Sequence, residues 1–112
     1  MKQITLKDFT KVQLVVGTVV SVKDFPELRK PSYRIEVDFG PQVGIKKTSS
    51  QVTDLYSKED LMGRQVLGLV NIPTRQIGSM MSEFFLAGFY LDDGTVVLAV
   101  PDKPVADGTR LA

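Results

Sequence analysis

Apolar and polar residues alternate in several stretches of the chain, as they do in strands that bury one face. The stretch SYRIEVDFG shows this most clearly, because every second side chain from Tyr33 to Phe39 is apolar. The run Val12–Val22 is rich in β-branched residues, which favour strands, and Gly17 within it predicts a bulge or a bend. Two further apolar runs flank Asp92–Gly94, a sequence typical of hairpin turns. The pattern predicts a protein built mainly from strands.

Only short helices are expected between these strands. Thr5 can cap one helix, in which Asp8 completes a capping box, and Ser57 can cap a second helix that ends at Gly63. The strands number about five and are short. This organisation predicts an all-β fold with short helices, a five-stranded oligonucleotide/oligosaccharide-binding (OB) barrel formed by one domain over residues 1–112.

The run FFLAGFYL is apolar on both faces of its predicted strand, and much of VQLVVGTVV behaves in the same way. One face can fill a barrel. The other face needs cover, because monomers rarely expose large contiguous apolar patches. We expect a homodimer with a two-fold interface to provide that cover. Cover by the chain's own helices and tail is the alternative.

Composition narrows the chemistry, because the chain contains no cysteine and no histidine. Disulfides, Cys/His zinc sites and Ser-His or Cys-His catalytic pairs are therefore excluded. No phosphate-binding loop of the GxxxxGK type is present. No pair of carboxylates is placed convincingly for catalysis. We therefore expect a protein that is not an enzyme, with no catalytic residue, no metal ligand and no cofactor.

Hydrophobic residues make up 43% of the chain and charged residues 24%, which is the balance of a globular protein. The first residues do not resemble a secretory signal, and no apolar run approaches the roughly 18 residues that span a bilayer. A cytoplasmic protein without membrane insertion is expected. The net charge is only +1, so any nucleic-acid binding must depend on local clusters of charge.

Two polar segments are candidate binding sites. Lys46 and Lys47 precede the residues TSSQ, a group that could contact phosphate and sugar. The alternative is an edge strand blunted by lysine against aggregation. Arg75 follows Pro73 in a segment predicted not to be a regular strand, and its guanidinium can clamp phosphate, carboxylate or carbonyl groups. A salt bridge to Glu83 is the alternative for this arginine.

Met80 and Met81 are adjacent, so we expect one to lie in the core and the other to be partly exposed. Methionine is flexible and recurs on surfaces that accept varied apolar partners. Phe84 or Phe85 could form the wall of a shallow pocket beside them. The alternative is that both methionines only fill gaps in the core.

Three stretches together closely resemble the CsaA family of export-related chaperones: VQLVVGTVVSVKDFPELRKPSYRIEVDFG, GIKKTSSQVT and GRQVLGLVNIPTRQIGSMMSEFFLAGF. The resemblance covers nearly the whole chain, and its most specific parts are LRKP, GIKKTSSQ and PTRQIGSMMSE. It implies an OB-fold domain of the tRNA-binding type and a homodimer. It also implies an ATP-independent chaperone that binds unfolded or presecretory polypeptides in protein export, with tRNA binding as the alternative function.

The resemblance also implies site residues. Those that correspond to the tRNA-binding surface of the wider family are Lys46, Lys47, Ser49, Ser50, Gln51, Arg75, Ser82 and Glu83. The sequence departs from that family after Ser82-Glu83, where two phenylalanines stand in place of Gly-Met. This departure favours an apolar pocket for polypeptides, and the residues expected to form it are Arg75, Met80, Met81, Phe84 and Phe39. Lys46 and Lys47 are expected at its rim with Arg75.

Overall fold

The computed structural model describes residues 1–112 and contains nine strands and two short helices. In chain order the elements are α1 (Leu6–Phe9), β1 (Leu14–Asp24), β2 (Tyr33–Asp38), β3 (Ile45–Ser50), α2 (Lys58–Leu61), β4 (Gln65–Leu69), β5 (Arg75–Ile77), β6 (Met80–Ser82), β7 (Phe85–Leu86), β8 (Gly88–Tyr90) and β9 (Val96–Leu98). Five strands form one sheet in the order β3-β2-β1-β4-β7, and β5-β6 and β8-β9 form separate hairpins. The prediction of an all-β protein with short helices is confirmed.

β1 is the strand around which the sheet curls into a nearly closed barrel. Its first half pairs with β4 and its second half pairs with β2, both antiparallel. The register shifts between Val19 and Ser21, which is a bulge slightly later in the chain than Gly17. Gly17 instead allows close packing, because a Cβ there would lie 2.5 Å from Val37 Cγ1 and 2.6 Å from Phe39 Cδ1. The predicted OB barrel is confirmed, with its bend displaced along β1.

The core of the barrel is centred on two aromatic rings. Phe39 and Phe84 pack edge to face, with ring centroids 5.0 Å apart and an interplanar angle of 81°. The alternating residues of β2 supply Tyr33, Ile35 and Val37 to the same cluster, as their spacing predicts. The strand pattern of the sequence thus determines which face of β2 is buried.

Local signals for caps and turns are confirmed. Thr5 and Asp8 form the predicted capping box of α1, and Ser57 caps α2 with Asp60 completing a second box. Backbone and side-chain hydrogen bonds from Ser57 lower the pKa of the Asp60 carboxyl below its usual range. Gly94 has a φ of 86° in the turn between β8 and β9. Both helices are four residues long, and neither has the length and apolar character needed to cross a membrane.

Two predictions about the second half of the chain are wrong. Arg75 begins β5, a regular strand paired with β6, although this segment was expected to be irregular. The run FFLAGFYL is divided between β7 and β8 and is not one continuous strand. Three-residue strands are too short to produce a recognisable alternation, and the chain changes sheets at Ala87, whose N–H donates to Leu67 O.

The two apolar runs differ in how they are covered. The C-terminal segment lies along β1, where Val16 N–H donates to Thr109 O and Gly108 N–H donates to Val16 O. Val16 is consequently only 6% exposed. The second run keeps exposed apolar side chains, among them Phe85 and Phe89, at 54% and 61% exposure. The chain's own tail covers the first run and leaves the second uncovered.

Candidate binding groove

The barrel is closed by a short seam between β3 and the segment that links β6 to β7. Glu83 N–H donates to Lys47 O at 2.8 Å, and Lys47 N–H donates to Glu83 Oε1 at 3.1 Å. Beside them the buried hydroxyls of Thr48 and Ser82 are 2.7 Å apart, and Ser82 also donates to Phe84 O. β3 and β7 are the two edge strands of the sheet. Because four antiparallel strand pairings lie between them, they run in the same direction, and no continuous ladder joins them.

A groove of about 800 Å³ opens where the seam ends. Its polar wall comes from the end of β3 and the residue after it, and from the start of β5 and the residue before it, and includes Ser49, Ser50, Gln51, Thr74 and Arg75. Its apolar surface comes from β4, β7 and the β8–β9 hairpin and from the turn after β4, and includes Leu69, Ile72, Phe85, Leu86, Tyr90 and Val96. Its volume is about twice that of a second pocket of about 380 Å³, which is lined by Gly63–Gln65 and Val100–Pro104.

The structure divides the predicted RNA-binding residues into two groups. Those that line the groove are Ser49, Ser50, Gln51, Arg75 and Ser82, whereas Lys46, Lys47 and Glu83 do not line it. The pairing register of β3 also separates the two lysines from each other. Lys46 pairs with Val37, whose side chain faces the inside of the barrel, and Lys47 pairs with Glu36, whose side chain faces outward. The two lysines therefore lie on opposite faces of β3 and cannot act as one cationic cluster. Glu83 is engaged in the seam.

The outer face of the sheet carries a basic row that the sequence analysis missed. Lys23 pairs with Arg34, and Arg34 pairs with Ser49, so the three side chains form one line across β1, β2 and β3. The Arg34 guanidinium lies 5.2 Å from the centroid of the Phe25 ring, a cation–π distance that holds it in place. Lys47 lies in the neighbouring row on the same face. Only the pairing register reveals this row.

The predicted polypeptide-binding residues do not form one pocket. Phe39, Met80 and Phe84 are 0%, 3% and 1% exposed, so they belong to the core, and only Phe84 reaches the floor of the groove. Met81 is 43% exposed, as expected for one of two adjacent methionines, but it does not line the groove and pairs with Gln76 on the other face of the hairpin. The apolar surface of the groove comes from other side chains, among them Ile72, Phe85 and Tyr90.

The predicted residues that stand exposed in the groove are Gln51 and Arg75, and of these only Arg75 belongs to both predicted sets. It makes no salt bridge with Glu83, and the two ion pairs of the molecule join Lys11 to Asp8 and Lys58 to Asp24. No cluster of three or more potential metal ligands exists anywhere in the chain. The groove offers hydroxyls, apolar surface and one guanidinium.

Comparison with known proteins assigns the chain to a known kind of domain. The sequence model described as "Putative tRNA binding domain" matches residues 14–110. The solved structure of the CsaA chaperone from Bacillus anthracis str. Ames superposes with a TM-score of 0.92 at 35% identity, covering 99% of this chain and 100% of that one. The CsaA chaperone protein from Picrophilus torridus superposes with a TM-score of 0.90 at 36% identity, covering 98% and 100%.

The curated relatives are much longer proteins. The methionine–tRNA ligase of Thermococcus onnurineus is 34% identical over 117 residues, which is 99% of this chain. The chain spans only about 15% of the length of that ligase. The similarity therefore concerns one domain of the ligase.

Proposed function

The chain belongs to the tRNA-binding domain family and is of the CsaA type, and from this premise we propose that it is an ATP-independent chaperone that binds unfolded or presecretory polypeptides. The groove is the observation that carries the proposal. Nine of its 19 lining residues are hydrophobic, and its remaining surface is rich in hydroxyls. An extended polypeptide presents the same mixture of apolar side chains and backbone hydrogen-bonding groups.

The mechanism is passive. Apolar side chains of a client pack on Ile72, Phe85 and Tyr90, while backbone groups of the client form hydrogen bonds with the hydroxyl of Ser50 and the amide of Gln51. A single groove of this size binds weakly, because ordering a flexible segment opposes the gain from contact. Weak binding suits a protein that must release its client. The absence of cysteine fits a reducing compartment, and we place this activity in the cytoplasm, ahead of export.

The test of this proposal compares how strongly groove variants suppress the aggregation of a client protein. Ile72→Ser combined with Phe85→Ser should weaken suppression roughly tenfold, because two exposed apolar contacts are lost without touching the core. Met81→Ser is the matched control, since it removes an exposed apolar side chain on the opposite face of the β5–β6 hairpin. Loss of suppression in Met81→Ser alone would move the site to the Met81 face, and full activity in the double variant would contradict the groove.

Binding of tRNA is the second candidate function, and the basic row of Lys23 and Arg34 with neighbouring Lys47 favours it. These cations can contact phosphates, and such contacts weaken steeply as salt increases because counterions are released. Polypeptide binding on apolar surface should change little with salt. Titrations of labelled tRNA and of a labelled apolar peptide at low and high salt, with Lys23→Gln combined with Arg34→Gln as the variant, separate the two functions.

We also propose that the protein is a homodimer in which a second copy covers the side of the uncovered apolar run that faces away from the groove. Phe89 and Leu91 are 61% and 45% exposed, lie two residues apart on one face of the extended chain, and do not line the groove. Exposed apolar surface of this kind usually marks an interaction site, and a two-fold interface brings the same patch from each copy together. Two grooves per dimer would raise the avidity for long clients.

Phe89→Asp is expected to shift the protein from dimer to monomer. A buried aromatic at an interface typically contributes more than about 1 kcal/mol, and a carboxylate in its place must be desolvated. Sedimentation equilibrium at several concentrations should show at least a tenfold rise in the dimer dissociation constant. Leu55→Asp, at another exposed apolar position, should leave the constant unchanged. A wild-type protein that sediments as one chain at micromolar concentration would contradict the dimer.

A further inference from the structure

The groove contains one charged side chain. Its lining includes Arg75 and no aspartate, glutamate or lysine. Arg75 is exposed and takes part in neither ion pair of the molecule. The other residues of the lining carry hydroxyl, amide or apolar groups. The electrostatic character of the groove is therefore set by one guanidinium.

The structure holds the backbone of Arg75 firmly in place. Arg75 pairs with Ser82, whose hydroxyl is tied to Thr48 across the seam. The turn of the same hairpin packs on the loop after β1, where a Cβ at Gly78 would lie 3.0 Å from Leu28 Cδ2. The Ser79 hydroxyl also donates to the Glu27 carboxylate. The hairpin that carries Arg75 is thus anchored at both ends.

We propose that the groove selects extended apolar segments that carry one carboxylate side chain, which binds Arg75. This inference rests on the proposed polypeptide-binding function and specifies the client of the same groove. A guanidinium forms two parallel hydrogen bonds with a carboxylate. The apolar walls reduce the access of water on one side, which strengthens that pair. A lysine at the same point of a client would be repelled.

The lining favours a side-chain carboxylate over a chain terminus. Groove residues continue along the chain on both sides of Arg75, with Pro73 and Thr74 before it and Ile77 after it. A bound segment can therefore pass Arg75 and remain in contact. A terminal carboxylate would leave one side of the groove unused. A nucleic acid strand is a poorer occupant, because it brings a phosphate at every nucleotide and the groove has one cation to meet them.

The test uses three peptides with one shared apolar sequence and a single central position occupied by Glu, Gln or Lys. Both ends are blocked, so that no terminal charge contributes. Fluorescence anisotropy with the full chain should show the Glu peptide binding about fivefold more tightly than the Gln peptide, and the Lys peptide more weakly than both. In Arg75→Gln the three peptides should bind alike, with the Gln peptide unchanged. Arg75→Lys should retain part of the preference, because the charge remains without the planar fork.

Arg29→Gln is the matched control, because it removes one positive charge from an exposed residue that follows Leu28 of the groove but lies outside the lining. The preference for Glu should persist in this variant. Equal binding of the Glu and Gln peptides to the wild type, or a preference that survives Arg75→Gln, would overturn the inference while leaving polypeptide binding intact. Failure of all three peptides to bind would refute the proposed function and the inference with it.

Two further arms identify the source of the anion. A Gln peptide with a free C-terminal carboxylate should bind no better than its blocked form. A gain from the free terminus that equals the gain from Glu would overturn the choice of a side chain. Transfer RNA is titrated against wild type and Arg75→Gln in parallel. A loss of tRNA affinity in that variant, with the peptide ranking unchanged, would assign Arg75 to phosphate and overturn the inference.

Discussion

Phe39→Ala is expected to lower the free energy of unfolding by about 3–5 kcal/mol, the range for removing a buried aromatic ring. Phe39 is 0% exposed and packs edge to face on Phe84. Cavity formation and loss of the aromatic pair both contribute to this cost. A domain of this size is stabilised by only about 5–15 kcal/mol in total. The single substitution therefore removes a large part of the stability.

The protein contains no tryptophan. The change in the free energy of unfolding is therefore measured by urea unfolding followed by far-ultraviolet circular dichroism. Leu55→Ala removes a 48% exposed side chain and should cost less than about 1 kcal/mol. A small loss in Phe39→Ala, similar to that of the control, would mean that the ring is not buried. The result bears on function, because impaired client binding in Phe39→Ala is then an effect of unfolding and not of a lost contact.

Gly68→Ala is expected to cost about 1–3 kcal/mol through overpacking, and Phe39→Leu should relieve part of that cost. A Cβ at Gly68 would lie 2.6 Å from Phe39 Cζ and 3.0 Å from Phe84 Cδ2. The Phe39 ring thus occupies space that Gly17 and Gly68 leave open on two neighbouring strands. Leucine at position 39 shortens the side chain where the new methyl group enters.

A double-mutant cycle of Gly68→Ala with Phe39→Leu should reveal a favourable coupling of about 0.5–3 kcal/mol. Gly94→Ala provides the control for the cycle. Its φ of 86° makes alanine strained, but no atom lies within 4 Å of the added Cβ. This strain should be independent of position 39. Zero coupling between Gly68→Ala and Phe39→Leu would show that the two residues do not compete for one space.

These two predictions concern the scaffold on which the groove is built. Phe84 packs on Phe39 inside the barrel and also reaches the groove floor, while the next residue, Phe85, turns its side chain outward. Alternation along one short segment therefore links the core to the binding surface. Substitutions at Phe85 change the surface, whereas substitutions at Phe84 change both.

The amino-acid sequence alone was sufficient to predict the local structure. The alternation from Tyr33 to Val37, the caps at Thr5 and Ser57, and the turn at Gly94 are each decided by residues a few positions apart, so a single sequence is sufficient to predict them. The resemblance carried by GIKKTSSQ and PTRQIGSMMSE led to the correct family and barrel. The absence of cysteine and histidine likewise narrowed the chemistry before any fold was known.

Long-range pairing decided the rest. The seam joins Lys47 to Glu83, the basic row joins Lys23 to Arg34 and Ser49, and the tail covers Val16. Each depends on which strands become neighbours and in what register, and a shift of one residue would reverse every face. For that reason only the tertiary structure separated Lys46 from Lys47, placed Phe39 and Phe84 inside the core and made Arg75 the one charged side chain of the groove.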